Sequence, residues 1–167
     1  MRRIIKMLVA AGSLPLAHSA LATELPDAIA APGMMVAFQV HGVGAQIYEC
    51  TAVAGSGRLS WEFREPTATL IRDGRTVGRH YAGPTWDISA GILVGKLLAT
   101  VPAPNPKDLP WLKLSVIGVP EEGPLERTTT IQRINTFGGV VNGACNKAGD
   151  FHSEPYSADY VFLTKQT

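Results

Sequence analysis

One segment of the sequence combines side chains that can do acid–base chemistry: His80-Tyr-Ala-Gly-Pro-Thr-Trp-Asp87. An imidazole and a carboxylate flank its Gly-Pro turn, and a histidine held by Asp87 would act as a general base. Tyr81 and Trp86 add flat apolar faces that can contact a ligand. The same residues also fit a structural role, in which His80 and Tyr81 bond to loop backbone and Trp86 fills the core.

Hydrolysis would need a nucleophile near His80, and the sequence shows none. The serines lack the Gly-x-Ser-x-Gly context of an activated hydroxyl. Two carboxylates at a fixed separation could cleave a glycoside, but exposed strand faces explain the available acids more simply. These acids are Glu49, Glu62, Glu65 and Asp87. The sequence therefore leaves enzymatic activity open without favouring it. The alternative function is a secreted hydrolase with His80 as acid–base and Asp87 as its orienting residue.

Metal binding would have to use histidines that lie far apart in the chain. His41, His80 and His152 show neither HxH nor HExxH spacing, and the two cysteines form no CxxC pair. We predict no metal site and no cofactor.

Binding is the function that the remaining residues favour. Arg133 lies between Gln132 and Ile134 in a strand-like segment, where it either orients polar groups of a ligand or pairs with a carboxylate on a solvated face. Aromatic side chains can line an apolar cavity or fill the core; they are Trp61, Trp86, Trp111, Tyr48, Tyr81, Tyr156 and Tyr160. We expect ligand contacts at Tyr81, Trp86 and Arg133.

Strands must position these residues, because the 17 Gly and 12 Pro of the chain leave few windows for a helix. Segment 91–101 fits a helix or a strand, and its glycines favour the strand. Gly residues at 42–44 predict a tight turn between the first two strands, and Asp73-Gly74 predicts another hairpin. The predicted strands are 34–40, 45–51, 59–64, 67–71, 76–81, 111–117, 128–136 and 159–164. This pattern predicts an all-β, single-domain antiparallel barrel or sandwich with Pro- and Gly-rich loops.

The N-terminus has the order of a secretory signal peptide. Arg2, Arg3 and Lys6 precede a short apolar run, and Ala20-Leu-Ala22 supplies the small residues of a cleavage site. We expect cleavage after residue 22, leaving one β domain over 23–167 that is secreted or periplasmic. No later segment is apolar over the roughly 20 residues that a membrane helix needs.

Export makes a disulfide the expected state of Cys50 and Cys145, with a metal pair or a reactive thiol as alternatives. A bridge would close a loop of 145 − 50 = 95 residues, worth about 4.6 kcal/mol in the chain-entropy description.

Charge argues against nucleic acid as a partner. The chain has 15 basic and 14 acidic residues, and loss of three basic residues with the signal leaves 12 against 14, a net charge of −2. Neither sign is concentrated in a block, whereas nucleic-acid binding needs a cationic footprint.

Several ordered motifs resemble the family catalogued as domain of unknown function 3455, secreted proteins of bacteria and fungi. The resemblance runs from about Leu25 to the C-terminus and implies an exported single-domain protein. Its motifs are Gly44-Ala-Gln-Ile-Tyr48 with Cys50, His80-Tyr-Ala-Gly-Pro-Thr-Trp86, Pro110-Trp-Leu-Lys-Leu114, Thr130-Ile-Gln-Arg-Ile-Asn-Thr136 and Pro155-Tyr-Ser-Ala-Asp-Tyr160.

Taken together, the residues and the resemblance predict an exported soluble protein that binds a small molecule, a glycan or a cell-envelope component near residues 80–87. A purely structural envelope protein is the further alternative. The sequence does not indicate an oligomeric state.

Overall fold

Extended segments separated by Gly- and Pro-rich turns form strands throughout the chain. The computed structural model describes residues 25–118 and 122–166, so the predicted signal peptide (1–22) lies outside the described residues. No helix within these ranges is long and apolar enough to cross a membrane. The strands of the described ranges are β1 (Met34–Ala52), β2 (Leu59–Arg72), β3 (Arg75–Tyr81), β4 (Thr85–Ile88), β5 (Gly91–Val101), β6 (Trp111–Gly118), β7 (Thr128–Gly138) and β8 (Phe151–Lys165).

These eight strands form a closed antiparallel barrel in chain order. Each strand pairs with the next, and β8 pairs along most of its length with β1. Closure satisfies the backbone groups that an open sheet would leave at its edges. The predicted all-β antiparallel fold is confirmed, and the barrel is the form that it takes.

The predicted hairpin at Asp73-Gly74 is confirmed and joins β2 to β3. Both residues have positive φ, 50° at Asp73 and 73° at Gly74, as a tight two-residue hairpin turn requires. Arg72 and Arg75 pair across it.

The predicted turn at residues 42–44 is wrong, because β1 runs straight through it and pairs with β2 and β8 on either side. Glycine occurs at these positions because the neighbouring groups leave no room for a Cβ atom. A Cβ on Gly42 would lie 2.7 Å from the Tyr160 ring, and one on Gly44 would lie 2.5 Å from the Cα of Ala68. Glycine in a strand often marks such a close approach.

Other strand boundaries also differ from the predictions. Segments 59–64 and 67–71 form the single strand β2, because Pro66 between them pairs with Gln46 of β1, close to a bulge at Arg64 of β2. Residues Thr85–Ile88, expected in a loop, form β4. Segment 91–101 is a strand, as favoured, and β8 begins at Phe151, well before residue 159.

Large side chains fill one end of the barrel. Trp86 packs edge-on against Tyr160 and Phe162, with ring centroids 5.4 and 6.1 Å apart. Val40 of β1 and Leu70 of β2 complete this packed end and are almost fully buried. Further along the same two strands the side chains face open space, which is the cavity described below.

The Cys50–Cys145 disulfide joins β1 to the loop between β7 and β8, with the two Cα atoms 5.9 Å apart. It confirms the predicted bridge. Tyr48 holds the same loop through its hydroxyl, which donates to the Gly139 carbonyl at 2.6 Å and accepts from the Val141 N–H at 3.3 Å. The loop is therefore fixed where it meets the open end of the barrel.

Candidate functional site

A cavity of about 900 Å³ occupies the open end of the barrel. Side chains from β1, β2, β3, β5, β6 and β7 form its walls, and segments 82–84, 109–110 and 140–142 contribute to its rim. Its volume lies within the range of roughly 300–1,000 Å³ found for small-molecule sites. Barrels of this strand number are wide enough either to pack side chains or to hold one small ligand, and this barrel does both, at opposite ends.

Apolar side chains inside the cavity remain exposed. Phe63 is 51 % exposed and Leu97 is 54 % exposed, and both line the cavity. Phe63 meets the Tyr48 ring edge-on with the centroids 5.9 Å apart, and Trp61 lies two residues earlier on the same wall. Several of the aromatic residues that fit either a core or a cavity therefore face the cavity.

The deep wall of the cavity carries an amide with an unused donor. Gln46 is only 2 % exposed, and its Nε2 has no hydrogen-bond partner among the described residues. The amide lies near the phenol of Tyr156 and acts to lower its pKa, but without reaching hydrogen-bond distance, and the Tyr156 hydroxyl is 3.1 Å from that of Tyr160. A buried N–H without a partner costs about 1–3 kcal/mol, so this position is suited to receive an acceptor from a ligand.

Arg133 lines the cavity instead of lying on a solvated strand face. It pairs across the sheet with Leu112 and Tyr160, whose side chains also face the barrel interior. Its Nε and Nη2 donate to the Pro110 carbonyl at 3.2 and 2.9 Å. No carboxylate of the described residues forms an ion pair with it, so the alternative of a carboxylate partner is not observed.

Burial lowers the pKa of Arg133, and the phenols of Tyr160, Tyr156 and Tyr48 oppose that shift. The guanidinium keeps its charge at neutral pH, because its ordinary pKa is far higher. Burial also raises the pKa of each of these three phenols. At neutral pH the inner part of the cavity therefore holds one cation among neutral groups.

His80 is almost fully buried, at 3 % exposure, and lines the same cavity. Its ring stacks on Trp86 with the centroids 4.6 Å apart, and its Nδ1 donates to the Thr85 carbonyl at 2.8 Å, which makes Nδ1 the protonated nitrogen. Burial lowers the pKa of His80 to about 4, opposed by the bond to Thr85 and reinforced by the charge of Arg133. The imidazole is therefore neutral at pH 7.

Asp87 does not approach His80. Its Oδ2 accepts from Nε and Nη2 of Arg79 at 3.1 and 2.9 Å. Successive side chains of a strand point to opposite faces, so Asp87 lies outside the barrel when Trp86 lies inside. The Thr85 carbonyl, not the predicted Asp87, orients the imidazole.

The expected ligand contacts are divided among three environments. Arg133 lines the cavity, Trp86 lies in the core beneath His80, and Tyr81 faces away from the cavity, with the Arg79 guanidinium 5.2 Å from its ring centroid. The cavity instead uses Gln46 and Phe63, which sequence reasoning did not select. A signal for Gln46 was available, because it is polar and shares a face with Tyr48 and Cys50.

The candidate metal-binding histidines are separate from one another, whereas two of the candidate acids share one guanidinium. His41 pairs with Asp159 and His152 with Glu154, each at 2.8–2.9 Å, and His80 lies inside the barrel. The described residues contain no group of three or more metal-binding side chains. Among the acids, Glu49 pairs with Arg64, Glu65 lies 3.6 Å from the same guanidinium, and Glu62 accepts from Thr51 at the cavity rim.

Comparison with known proteins gives one match. The family described as "Protein of unknown function (DUF3455)" matches residues 31–164, which include both cysteines and the eight described strands apart from the last residue of β8. Neither the curated proteins nor the solved structures contain a significant match.

Proposed function

The chain belongs to the DUF3455 family, and we propose from the geometry of its barrel that it binds a small, largely apolar molecule in the open end. The observation that carries the proposal is the cavity of about 900 Å³, into which Phe63 and Leu97 stay half exposed. Large apolar side chains that stay exposed to water at the open end carry a free-energy cost. A ligand that covers them recovers about 25 cal/mol per Å² of apolar surface.

Covalent and hydrogen bonds within the chain hold one wall of the cavity in place. The disulfide and the two hydrogen bonds of Tyr48 fix the loop that carries Val140 and Val141, and both residues line the cavity. A preformed site loses less conformational entropy on binding than a mobile one. This arrangement supports binding as the function.

We further propose that the protein works in the periplasm or outside the cell. The disulfide supports this, since such bonds persist in oxidising compartments. The signal-like N-terminus of the sequence supports it independently.

The hydrolase alternative gains no support from the site. Its proposed orienting residue, Asp87, is bonded to Arg79 on the outer face. No serine among the described residues lines the cavity.

The neutral fluorescent probe N-phenyl-1-naphthylamine tests the proposal. We expect its emission to rise on addition of the protein, and the Leu97→Ala variant to weaken binding several-fold because Leu97 lines the cavity. Leu98→Ala is the matched control, since Leu98 is similarly exposed, at 58 %, but does not line it. Equal effects of the two variants, or no binding by the wild type, would contradict the proposed function.

A further inference from the structure

We propose that the ligand is an amphipathic monocarboxylic acid, with its carboxylate on Arg133 and its carbon skeleton along the apolar wall. This inference rests on the proposed function and specifies its ligand class. Two independent observations carry it: a half-buried cation in the cavity without a carboxylate partner among the described residues, and a buried amide N–H without a partner at hydrogen-bond distance among them.

The first observation is the charge balance of the cavity. Of the cationic side chains that line it, Arg64 is neutralised by Glu49 at 2.9 Å and Lys96 is exposed at the rim. The nearby carboxylate of Glu154 is engaged by His152. The charge of Arg133 is compensated only by the carbonyl dipole of Pro110 and by neutral phenols.

A buried charge without a counter-ion is unfavourable, and the interaction with an incoming anion strengthens as water leaves the site. Arg133 uses Nε and Nη2 on one carbonyl oxygen. The Tyr160 phenol also lies close to the guanidinium. The N–H groups that Pro110 and Tyr160 do not take can meet an anion, and the planar fork of a guanidinium matches a carboxylate.

The second observation places another donor in the same wall. Gln46 lies beside Tyr156, Tyr156 contacts Tyr160 through the two hydroxyls, and Tyr160 pairs across the sheet with Arg133. The free Nε2 of Gln46 and the Arg133 guanidinium therefore lie along one polar wall. Both supply N–H donors, so the complementary ligand group is an acceptor with negative charge.

The number of cations selects a monoanion. One uncompensated guanidinium lies in the inner cavity, whereas a phosphate dianion would leave a net negative charge buried at that site. Phe63 and Leu97 require that the rest of the ligand be apolar. A carboxylic acid with an alkyl or aryl body has both properties.

Octanoate and 1-octanol, which share one carbon skeleton, test the inference by isothermal titration calorimetry of the full mature protein at about pH 8. We expect octanoate to bind at least tenfold more tightly to the wild type. That ratio corresponds to about 1.4 kcal/mol. In Arg133→Gln, the preference for octanoate should fall below about threefold while octanol binding stays unchanged. Arg79→Gln removes the same charge outside the barrel and should keep the wild-type preference.

The outcomes separate this inference from the proposed function. Equal binding of acid and alcohol by the wild type, or a preference that survives in Arg133→Gln, overturns the acid ligand and leaves a binding cavity. Failure of both compounds, and of the neutral probe, to bind overturns the proposed function itself. If Arg133→Gln does not fold, Gln46→Leu decides the question: octanoate should bind several-fold more weakly and octanol no more weakly, whereas unchanged octanoate binding overturns the inference.

Discussion

At the scale of single residues, strand alternation decides which polar groups meet. Sequence proximity suggested that Asp87 would orient His80, but the side chains of a strand alternate between faces and Asp87 bonds to Arg79 outside the barrel. Arg133 shows the reverse case. The residues next to Arg133 in the sequence do not show whether its side chain points into the barrel or into solvent. The residues around it belong to β6 and β8, which are distant in sequence.

The buried imidazole of His80 makes stability depend on pH. Its pKa is lowered to about 4 in the folded protein, below the ordinary value of 6.5, so the unfolded chain binds more protons between these two values. Stability contributed by the neutral His80 is therefore full above about pH 6.5 and is lost as the pH falls toward 4. The loss amounts to at most about 3 kcal/mol, given 1.36 kcal/mol for each pKa unit.

Urea unfolding between about pH 4 and pH 7 measures this effect. His80→Asn is the comparison, since its side-chain amide can donate to the Thr85 carbonyl as Nδ1 does but does not titrate. We expect the wild type to lose more stability than the variant on acidification. Parallel curves for the two proteins would show that His80 does not carry the dependence.

At the scale of elements, the strands were predictable and one turn was not. Segments 111–117 and 128–136 contain β-branched runs and match β6 and β7 closely. Gly42 and Gly44 suggested a turn, because a sequence does not show whether a glycine serves a turn or a close approach of neighbouring groups. In the barrel the missing Cβ atoms admit the Tyr160 ring and the backbone of β2. The short strand β4 was missed because its residues lie next to a Gly-Pro turn.

Because β1 and β2 approach each other closely at Gly44, we expect any side chain at this position to destabilise the protein. In Gly44→Ala the new Cβ would overlap the Thr67 carbonyl and lie 2.5 Å from the Cα of Ala68. We expect a loss of about 1–3 kcal/mol of unfolding free energy, the usual effect of overpacking.

Gly118→Ala is the matched control for that substitution. Gly118 also lies at a strand position without positive φ, and its nearest Cβ neighbour would be a Val94 carbon at 3.8 Å, an ordinary contact. Thermal or urea unfolding of both variants gives the comparison. Equal stabilities would contradict the assignment of Gly44 to close packing.

At the scale of the whole molecule, the barrel is divided into a packed end and an open end. Turn spacing predicted the antiparallel β fold, and a signal-like N-terminus with only two cysteines predicted the Cys50–Cys145 bridge. They could not predict the cavity, because its volume depends on strand closure and on which inward positions carry large side chains. Trp86 and Phe162 fill one end, whereas Gln46 and Arg133 line the other.

The N-terminal segment shows how the outer face of the barrel is completed. Ile29 is fully buried, and its carbonyl accepts from Nε2 of Gln132 at 2.6 Å. Lys113, which pairs with Gln132 across β6 and β7, donates to the Ala30 carbonyl at 2.9 Å. The N-terminal segment therefore covers the outside of β6 and β7, the strands whose inner faces carry Leu112 and Arg133.

The central claim is that a ligand enters the open end of the barrel, and methyl NMR with octanoate tests it most directly. We predict chemical-shift changes at the methyl groups of Leu97, Leu112 and Val141, which line the cavity, and none at the exposed Leu98 and Ile117, which do not. Shifts confined to Leu98 and Ile117, or no shifts at saturation with either octanoate or the neutral probe N-phenyl-1-naphthylamine, would contradict the account.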